Sequence, residues 1–253
     1  MNEAARYDVI GDFYLEFVAR GLASEETLFY QLTAHLLELL PPLAGLDVLD
    51  LACGEGHLSR QLAAAGARVT GVDLAARNLA VAQRQTPSGA IQYLQADAQR
   101  LTPLADGRFD LVVCKMALMD IPDMDAAFAA VARVLRPGGR FVAALLHPCF
   151  ETPFTMPFAP VEEDETGRFR HHRVQRYFEE GHWRSGGSGV RGHVGAYHRT
   201  LSTYLNSLIA AGLQIARLDE PALASGAPDS LERQWHQNIA KILYIEAIKS
   251  KPV

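Results

Sequence analysis

The sequence predicts an α/β fold built on a doubly wound, mostly parallel sheet. Short apolar runs recur as far as Leu146 and alternate with segments of helical spacing. The runs are apolar almost throughout rather than at every second position, which marks strands covered on both faces. Glycine-bearing turns punctuate the alternation, as β-α-β units require.

The elements follow in order. Ser24 to Leu40 carries Leu28, Leu32, Leu36, Leu39 and Leu40 at helical spacing, and Pro41 and Pro42 stop that helix. Asp47 to Leu51 reads as a buried strand running into a glycine turn. Leu58 to Ala65 is helical, with Gly66 at its end. Arg68 to Asp73 is a strand, Asn78 to Gln85 a helix, and Ile91 to Gln95 and Phe109 to Cys114 are strands. Asp125 to Leu135 is a helix closed by Pro137, Gly138 and Gly139, and Arg140 to Leu146 is a further strand. The pattern breaks at His147. Pro148 to Gly195 is rich in Pro, Gly, Arg, His and aromatic residues. Thr200 to Ala211 is helical, Leu213 to Leu218 a strand, Pro221 to Ser230 a loop and Lys241 to Ile248 a last strand. The expected organisation is one domain over 1–253, with an N-terminal helical segment at 1–45 and an insertion at 147–199. Long irregular segments inside compact domains are usually lids or binding loops.

Composition bounds the function. The chain has 253 residues, 49% of them hydrophobic, enough for a sizeable core, and a formal net charge of −5 that argues against a nucleic-acid partner. Cys53, Cys114 and Cys149 form no CxxC pair, so the expectation is a reduced, cytoplasmic protein without a disulfide frame or zinc site. No leader pattern and no membrane-length apolar run is visible.

The strongest motif is DVLDLACGEGHLSR, Asp47 to Arg60: a strand, a turn with Gly54 and Gly56, then a helix. Glycines let a ligand approach the backbone, and ligands bind at strand C-termini in such sheets. Asp73 closes the next strand, where a carboxylate can accept both hydroxyls of a ribose; a helix N-cap is the plainer role. Asp97 follows the third strand. It can receive an adenine amino group while the Ala98 amide meets a ring nitrogen, or it can simply cap a turn.

Taken together, Asp50-x-x-x-Gly54-x-Gly56, Asp73, Asp97, Phe109-Asp110-Leu111-Val112 and Leu135-Arg136-Pro137-Gly138-Gly139 resemble the ordered motifs of class I S-adenosylmethionine-dependent methyltransferases, in their small-molecule branch. The resemblance implies a Rossmann-like seven-stranded sheet whose final strand is antiparallel, with the insertion between the fifth and sixth strands. It implies S-adenosylmethionine as cofactor, with Asp50, Cys53, Gly54 and Gly56 around the methionine moiety. Asp73 would hold the ribose and Asp97 the adenine. Leu74 would pack on the adenine ring, and Cys114 and Met119 would line the methionine side. YDVIGDFY resembles the segment that closes over the cofactor, so Tyr7 and Tyr14 would touch it. Ala52 departs from the family's usual first glycine.

Methyl transfer from a sulfonium needs alignment, a dry site and, for some acceptors, a base. His147, at the end of the FVAALL strand, is the first candidate base, with Glu151 second and Asp120 third. From Arg168 to Arg199 there are seven arginines and five histidines among aromatic residues. They suit either a cationic lid for a carboxylate- or phosphate-bearing acceptor, or a solvated surface offset by Glu162, Glu163, Asp164 and Glu165. Their histidines lack metal-ligand spacing, so no metal is expected. Two other readings stay open. A nicotinamide-dependent oxidoreductase would also use the glycine turn and Asp73, although Ser59 stands where the third glycine of its motif belongs. A non-catalytic cofactor-binding scaffold would keep the same motifs. The acceptor atom is open between oxygen, nitrogen and carbon.

Overall fold

The structure is a computed structural model that describes residues 5–87, 89–150, 161–185 and 187–251. Three helices come first: α1 (Ala5–Val9), α2 (Gly11–Gly21) and α3 (Leu28–Leu39), the last started by Thr27, whose hydroxyl accepts the Tyr30 amide. Then come β1 (Asp47–Leu51), α4 (His57–Ala64), β2 (Arg68–Asp73), α5 (Ala76–Gln85), β3 (Ile91–Gln95), β4 (Phe109–Lys115), α6 (Met124–Val134) and β5 (Leu135–Leu146). The insertion carries short β6 (Val161–Glu163), β7 (Phe169–His172), β8 (Gly181–Trp183), α7 (Val190–His193) and β9 (Ala196–His198). After it come α8 (Leu201–Ala210), β10 (Leu213–Asp219), α9 (Leu231–Asn238) and β11 (Ile242–Lys249).

Seven strands form one sheet in the order β10-β11-β5-β4-β1-β2-β3. β11 pairs antiparallel with β5 and β10, and the other pairings are parallel. Period-two alternation sorts the side chains to two cores. Leu49, Leu51, Phe141 and Ala143 face α6 and α8, where Phe128, Val131 and Leu208 lie. Val48, Val69, Val142 and Ala144 face α3 and α4, where Leu32, Leu36, Leu58 and Leu62 lie. No helix among the described residues is long and apolar enough to cross a membrane.

Three differences from the sequence reading have local causes. β5 starts at Leu135 rather than Arg140, because Phe109 pairs with Leu135 before the register shifts to Leu111 with Arg140. The Pro-Gly-Gly turn therefore lies inside a bulged strand, with Gly138 at φ +80°. Helix α9 falls in a polar stretch whose apolar signal is too thin to read, yet Ser230 caps it through the Arg233 amide. The insertion is not irregular throughout: β6 pairs with β7 and β8 with β9.

Candidate active site

The parallel order puts the C-termini of β3, β2, β1, β4 and β5 along one edge. A single cavity of about 1280 Å³ runs along that edge. This exceeds the roughly 300–1,000 Å³ of an ordinary small-molecule pocket, so there is space for more than one ligand.

Its first half lies over β1, β2 and β3. Asp73 ends β2, and its carboxylate ties two turns together. Oδ2 accepts the Gly54 amide at 2.8 Å, and Oδ1 accepts the Ala75 amide at 2.8 Å. An ionised carboxylate has about four acceptor sites, so lone pairs remain for a ligand's hydroxyls. Burial pushes the Asp73 carboxyl up to about 6, against the pull of those amides. The turn after β1 is left-handed at Ala52 (φ +57°), Gly54 (φ +57°) and Gly56 (φ +81°). A Cβ on Gly56 would stand 2.4 Å from the Tyr93 hydroxyl, so the Tyr93 side chain would have to shift, and the left-handed backbone favours glycine there in its own right. Asp97 lines the cavity beyond β3, and its Oδ1 accepts both the backbone and side-chain nitrogens of Gln99 at 2.9 Å. Cys53, Leu74, Ala98 and buried Asp50 also face the cavity. Asp50 Oδ2 accepts the Ser59 hydroxyl at 2.6 Å.

A methyltransferase-domain family model matches residues 49–143. A solved protein from Listeria monocytogenes, assigned as an S-adenosylmethionine-dependent methyltransferase, is 32% identical, covers 87% of this chain and 99% of its own, and superposes with a TM-score of 0.73. The chain belongs to the S-adenosylmethionine-dependent methyltransferases. A second member, from Mesorhizobium loti, is 31% identical over 85% of this chain and 96% of its own, with a TM-score of 0.73. A ubiquinone biosynthesis O-methyltransferase from Aromatoleum aromaticum is 44% identical, but the match spans 39% of this chain and less than half, 43%, of that relative. S-adenosylmethionine is the methyltransferase's cofactor, and the donor set fits it: acceptors on Asp73 and Asp97 for its hydroxyl and amino protons, and a glycine turn for its amino-acid tail.

Tyr7 and Tyr14 both line the cavity, with rings 5.2 Å apart edge to face. The Tyr14 hydroxyl lies against Gly54, 3.0 Å from where a Cβ would stand. Tyr7 bonds Asp120, which also pairs with Arg191 of α7. These three side chains join the N-terminal helices, the turn after β4 and the insertion. Burial and neighbouring Asp120 push the Tyr7 hydroxyl well above its usual range.

Several sequence expectations need correcting. Gly54 and Gly56 shape the turn, and their neighbours Ala52, Cys53 and Glu55 line the cavity there. Cys114 and Met119 are buried in the α6-side core beneath the end of β4. Strand alternation turns Cys114 inward, and Met116 and Ala117 take the wall instead. His147 is 2% exposed and does not line the cavity. Its Nδ1 accepts the Cys149 amide at 3.2 Å, and its Nε2 donates to Glu220 at 2.5 Å. Held between those partners and off the cavity wall, the ring orients the HPCF turn rather than standing where an acceptor would meet it. Glu151 lies outside the described residues. Asp120 reaches the wall but is held by Arg191 and Tyr7.

The second half of the cavity, over β4, β5 and β11, brings together residues the sequence reading missed: Lys115, Met116, Leu146, His172, Trp235 and Lys241. Lys115 Nζ donates to Thr33 Oγ1 at 3.3 Å and sits 4.2 Å from the centroid of the Phe29 ring. Burial pulls its ammonium down. The one sequence signal for it was a lysine closing an otherwise apolar strand.

Proposed function

We propose that this methyltransferase passes the methyl group of S-adenosylmethionine to a small-molecule acceptor seated over β4, β5 and β11. The observation that carries this reading is the continuity of one cavity from Asp73 and Asp97 to Lys115 and Lys241. When bound, the cofactor supplies an electrophilic methyl group on a sulfonium, which needs no further activation.

The chain's own residues supply position and exclusion of water. Asp73 would hold the ribose hydroxyls, Asp97 and the Ala98 amide would meet the adenine, and Leu74 would pack against it. Asp50 keeps Ser59, and so the start of α4, against the turn that receives the amino-acid tail. The Tyr7–Asp120–Arg191 contact closes the insertion over the cleft, so that the reacting groups meet without competing water. Lys115 stands at the junction of the two halves, where its ammonium can hold an anionic acceptor oxygen in line. Such alignment supplies about 7–11 kcal/mol in favourable cases.

The insertion's arginines, read from the sequence as either a cationic rim or a solvated surface, mostly serve the protein itself. Arg173 pairs with Glu162, Arg176 with Glu179, and Arg199 donates to the Ile121 and Pro122 carbonyls. O-methylation, as in the name of the Aromatoleum relative, fits a cavity with a lysine at the transfer end.

Equilibrium titration with S-adenosylhomocysteine and with NAD tests the cofactor half, and a labelled-methyl assay over an acceptor panel tests the transfer. Binding of S-adenosylhomocysteine but not NAD, with label reaching an acceptor, is expected. NAD binding alone, or cofactor binding with no transfer to any acceptor, would remove the proposal.

A further inference from the structure

Lys115 reaches from the acceptor half of the cavity back toward the cofactor half. It closes β4, where alternation sends Val112 and Cys114 to the α6 side and Leu111 and Val113 to the α3 and α4 side. Lys115 continues the second set, and its ammonium accordingly meets α3: Nζ donates to Thr33 Oγ1 at 3.3 Å and sits 4.2 Å from the centroid of the Phe29 ring. Lys115 and Phe29 both line the cavity, and Lys115 keeps part of its surface exposed. Asp50 of β1, Glu55 of the glycine turn and His57 of α4 line it as well. The protein matches this ammonium poorly. It carries three N–H donors, and among the described residues Thr33 Oγ1 is the one acceptor hydrogen-bonded to it. The two carboxylates whose charge it feels are engaged elsewhere: Asp50 with the Ser59 hydroxyl at 2.6 Å, and Glu55 with the Arg60 guanidinium at 2.7 Å.

Resting on the reading that the turn after β1 receives the cofactor's amino-acid tail, we infer that Lys115 is the counter-ion of the S-adenosylmethionine carboxylate. The turn leads into α4, which packs on the α3 side of the sheet through Leu58 and Leu62, so the turn and the ammonium share one side. An ammonium is a donor with no competing acceptor role, which suits an anion. Burial pulls it down, and a carboxylate beside it offsets that penalty. Burial and the Lys115 charge also hold the His57 ring below its usual range, so the ring is neutral near neutral pH and adds no second cation. One ammonium of this kind matches one carboxylate. Of its three N–H groups, one stays with Thr33, one meets the carboxylate and one remains for an acceptor oxygen.

The test is calorimetric titration with three ligands: S-adenosylhomocysteine, its decarboxylated analogue, which keeps the amine, and methylthioadenosine, which lacks the tail. The unaltered protein should bind S-adenosylhomocysteine about tenfold or more tighter than the decarboxylated analogue, the difference made by one charge-assisted contact. Lys115→Met should abolish that preference by weakening S-adenosylhomocysteine alone. Methylthioadenosine should bind the variant as it binds the unaltered protein, which also shows that the variant is folded. Lys115→Gln, which keeps a donor without the charge, should lose most of the preference as well. Equal binding of S-adenosylhomocysteine and the decarboxylated analogue by the unaltered protein, a preference that survives both substitutions, or equal weakening of all three ligands in both variants would each overturn the assignment. Those results leave the nucleoside reading standing, whereas failure of all three ligands to bind the unaltered protein would remove both.

Discussion

The two halves of the cavity are built in different ways. Over β1, β2 and β3 the site is made of turns that directly follow strands. Gly54, Asp73 and Asp97 occupy three successive strand ends, and backbone amides at Gly54 and Ala75 set the Asp73 carboxylate. Over β4, β5 and β11 it is made of side chains from elements far apart in the chain: Lys115 from β4, His172 from the insertion, Trp235 from α9 and Lys241 before β11. The first construction fixes a constant ligand with little sequence. The second assembles a wall whose lining can change one residue at a time, as a variable acceptor requires.

The halves share one core, and this gives the largest expected effect. Phe128 is fully buried against Phe141, with ring centroids 5.8 Å apart. Phe128→Ala should cost about 3–5 kcal/mol in chemical denaturation. Binding at both halves should be lost in the same transition, because the cavity is a seam across one folding unit. Separate melting of the two sites would show that they are distinct units.

Asp73→Asn should next separate the halves by function. It replaces the carboxylate proposed to accept the ribose hydroxyls and should weaken S-adenosylhomocysteine by about 10- to 100-fold, equivalent to one or two charged hydrogen bonds. The unaltered protein carries a pH signature of the same group. With the Asp73 carboxyl raised to about 6, cofactor affinity should fall as the pH drops through that value, because the protonated acid loses acceptor sites. Stability of the ligand-free chain should move the other way. The folded state holds this proton more tightly than the unfolded chain, so the contribution of Asp73 grows as the pH falls from above 6 toward 4. Asp73→Asn should remove that component, and affinity with the unaltered pH profile in the variant would place the group elsewhere.

Arg191→Met tests the proposal that the insertion closes over the cleft. Arg191 and Asp120 are 19% and 17% exposed, so their pair is well screened from water. Its loss should raise the cofactor's dissociation rate several-fold in stopped-flow displacement while leaving the fold intact. An unchanged rate would show that the insertion does not gate the cleft.

The same contrast explains what the sequence revealed. β1, β2 and β3 have the bounds their apolar runs indicate, and their terminal residues carry the cofactor motifs, so position along the chain is nearly position in space. At Cys114 and Met119 the run of apolar residues hid which side faced the ligand, since both faces of this sheet are covered. His147 was correctly placed at a strand end, but its partner Glu220 is far along the chain and invisible to any local pattern. Trp235 meets His172 through the packing of α9 on β7, and Lys241 reaches the same edge through the pairing of β11 with β5, long-range contacts that no local periodicity encodes.

The smallest effect concerns backbone strain at matched positions in the two halves. Ala52 follows β1 at φ +57°, and Met116 follows β4 at φ +58°. For a residue with a Cβ this conformation costs roughly 1–2 kcal/mol, while glycine adds about 0.5–1 kcal/mol through the freedom it gains on unfolding. Ala52→Gly should therefore stabilise the chain by about 0.5–1 kcal/mol, since only a methyl group is lost. Met116→Gly relieves the same strain but removes a side chain packed against both cores, worth about 1.5–3 kcal/mol, so it should destabilise. Opposite signs in denaturant midpoints would mean that the cofactor turn tolerates its strained alanine as an accident of sequence, whereas the acceptor wall keeps its strained methionine for what the side chain covers. Stabilisation by both substitutions would leave Met116 without that role.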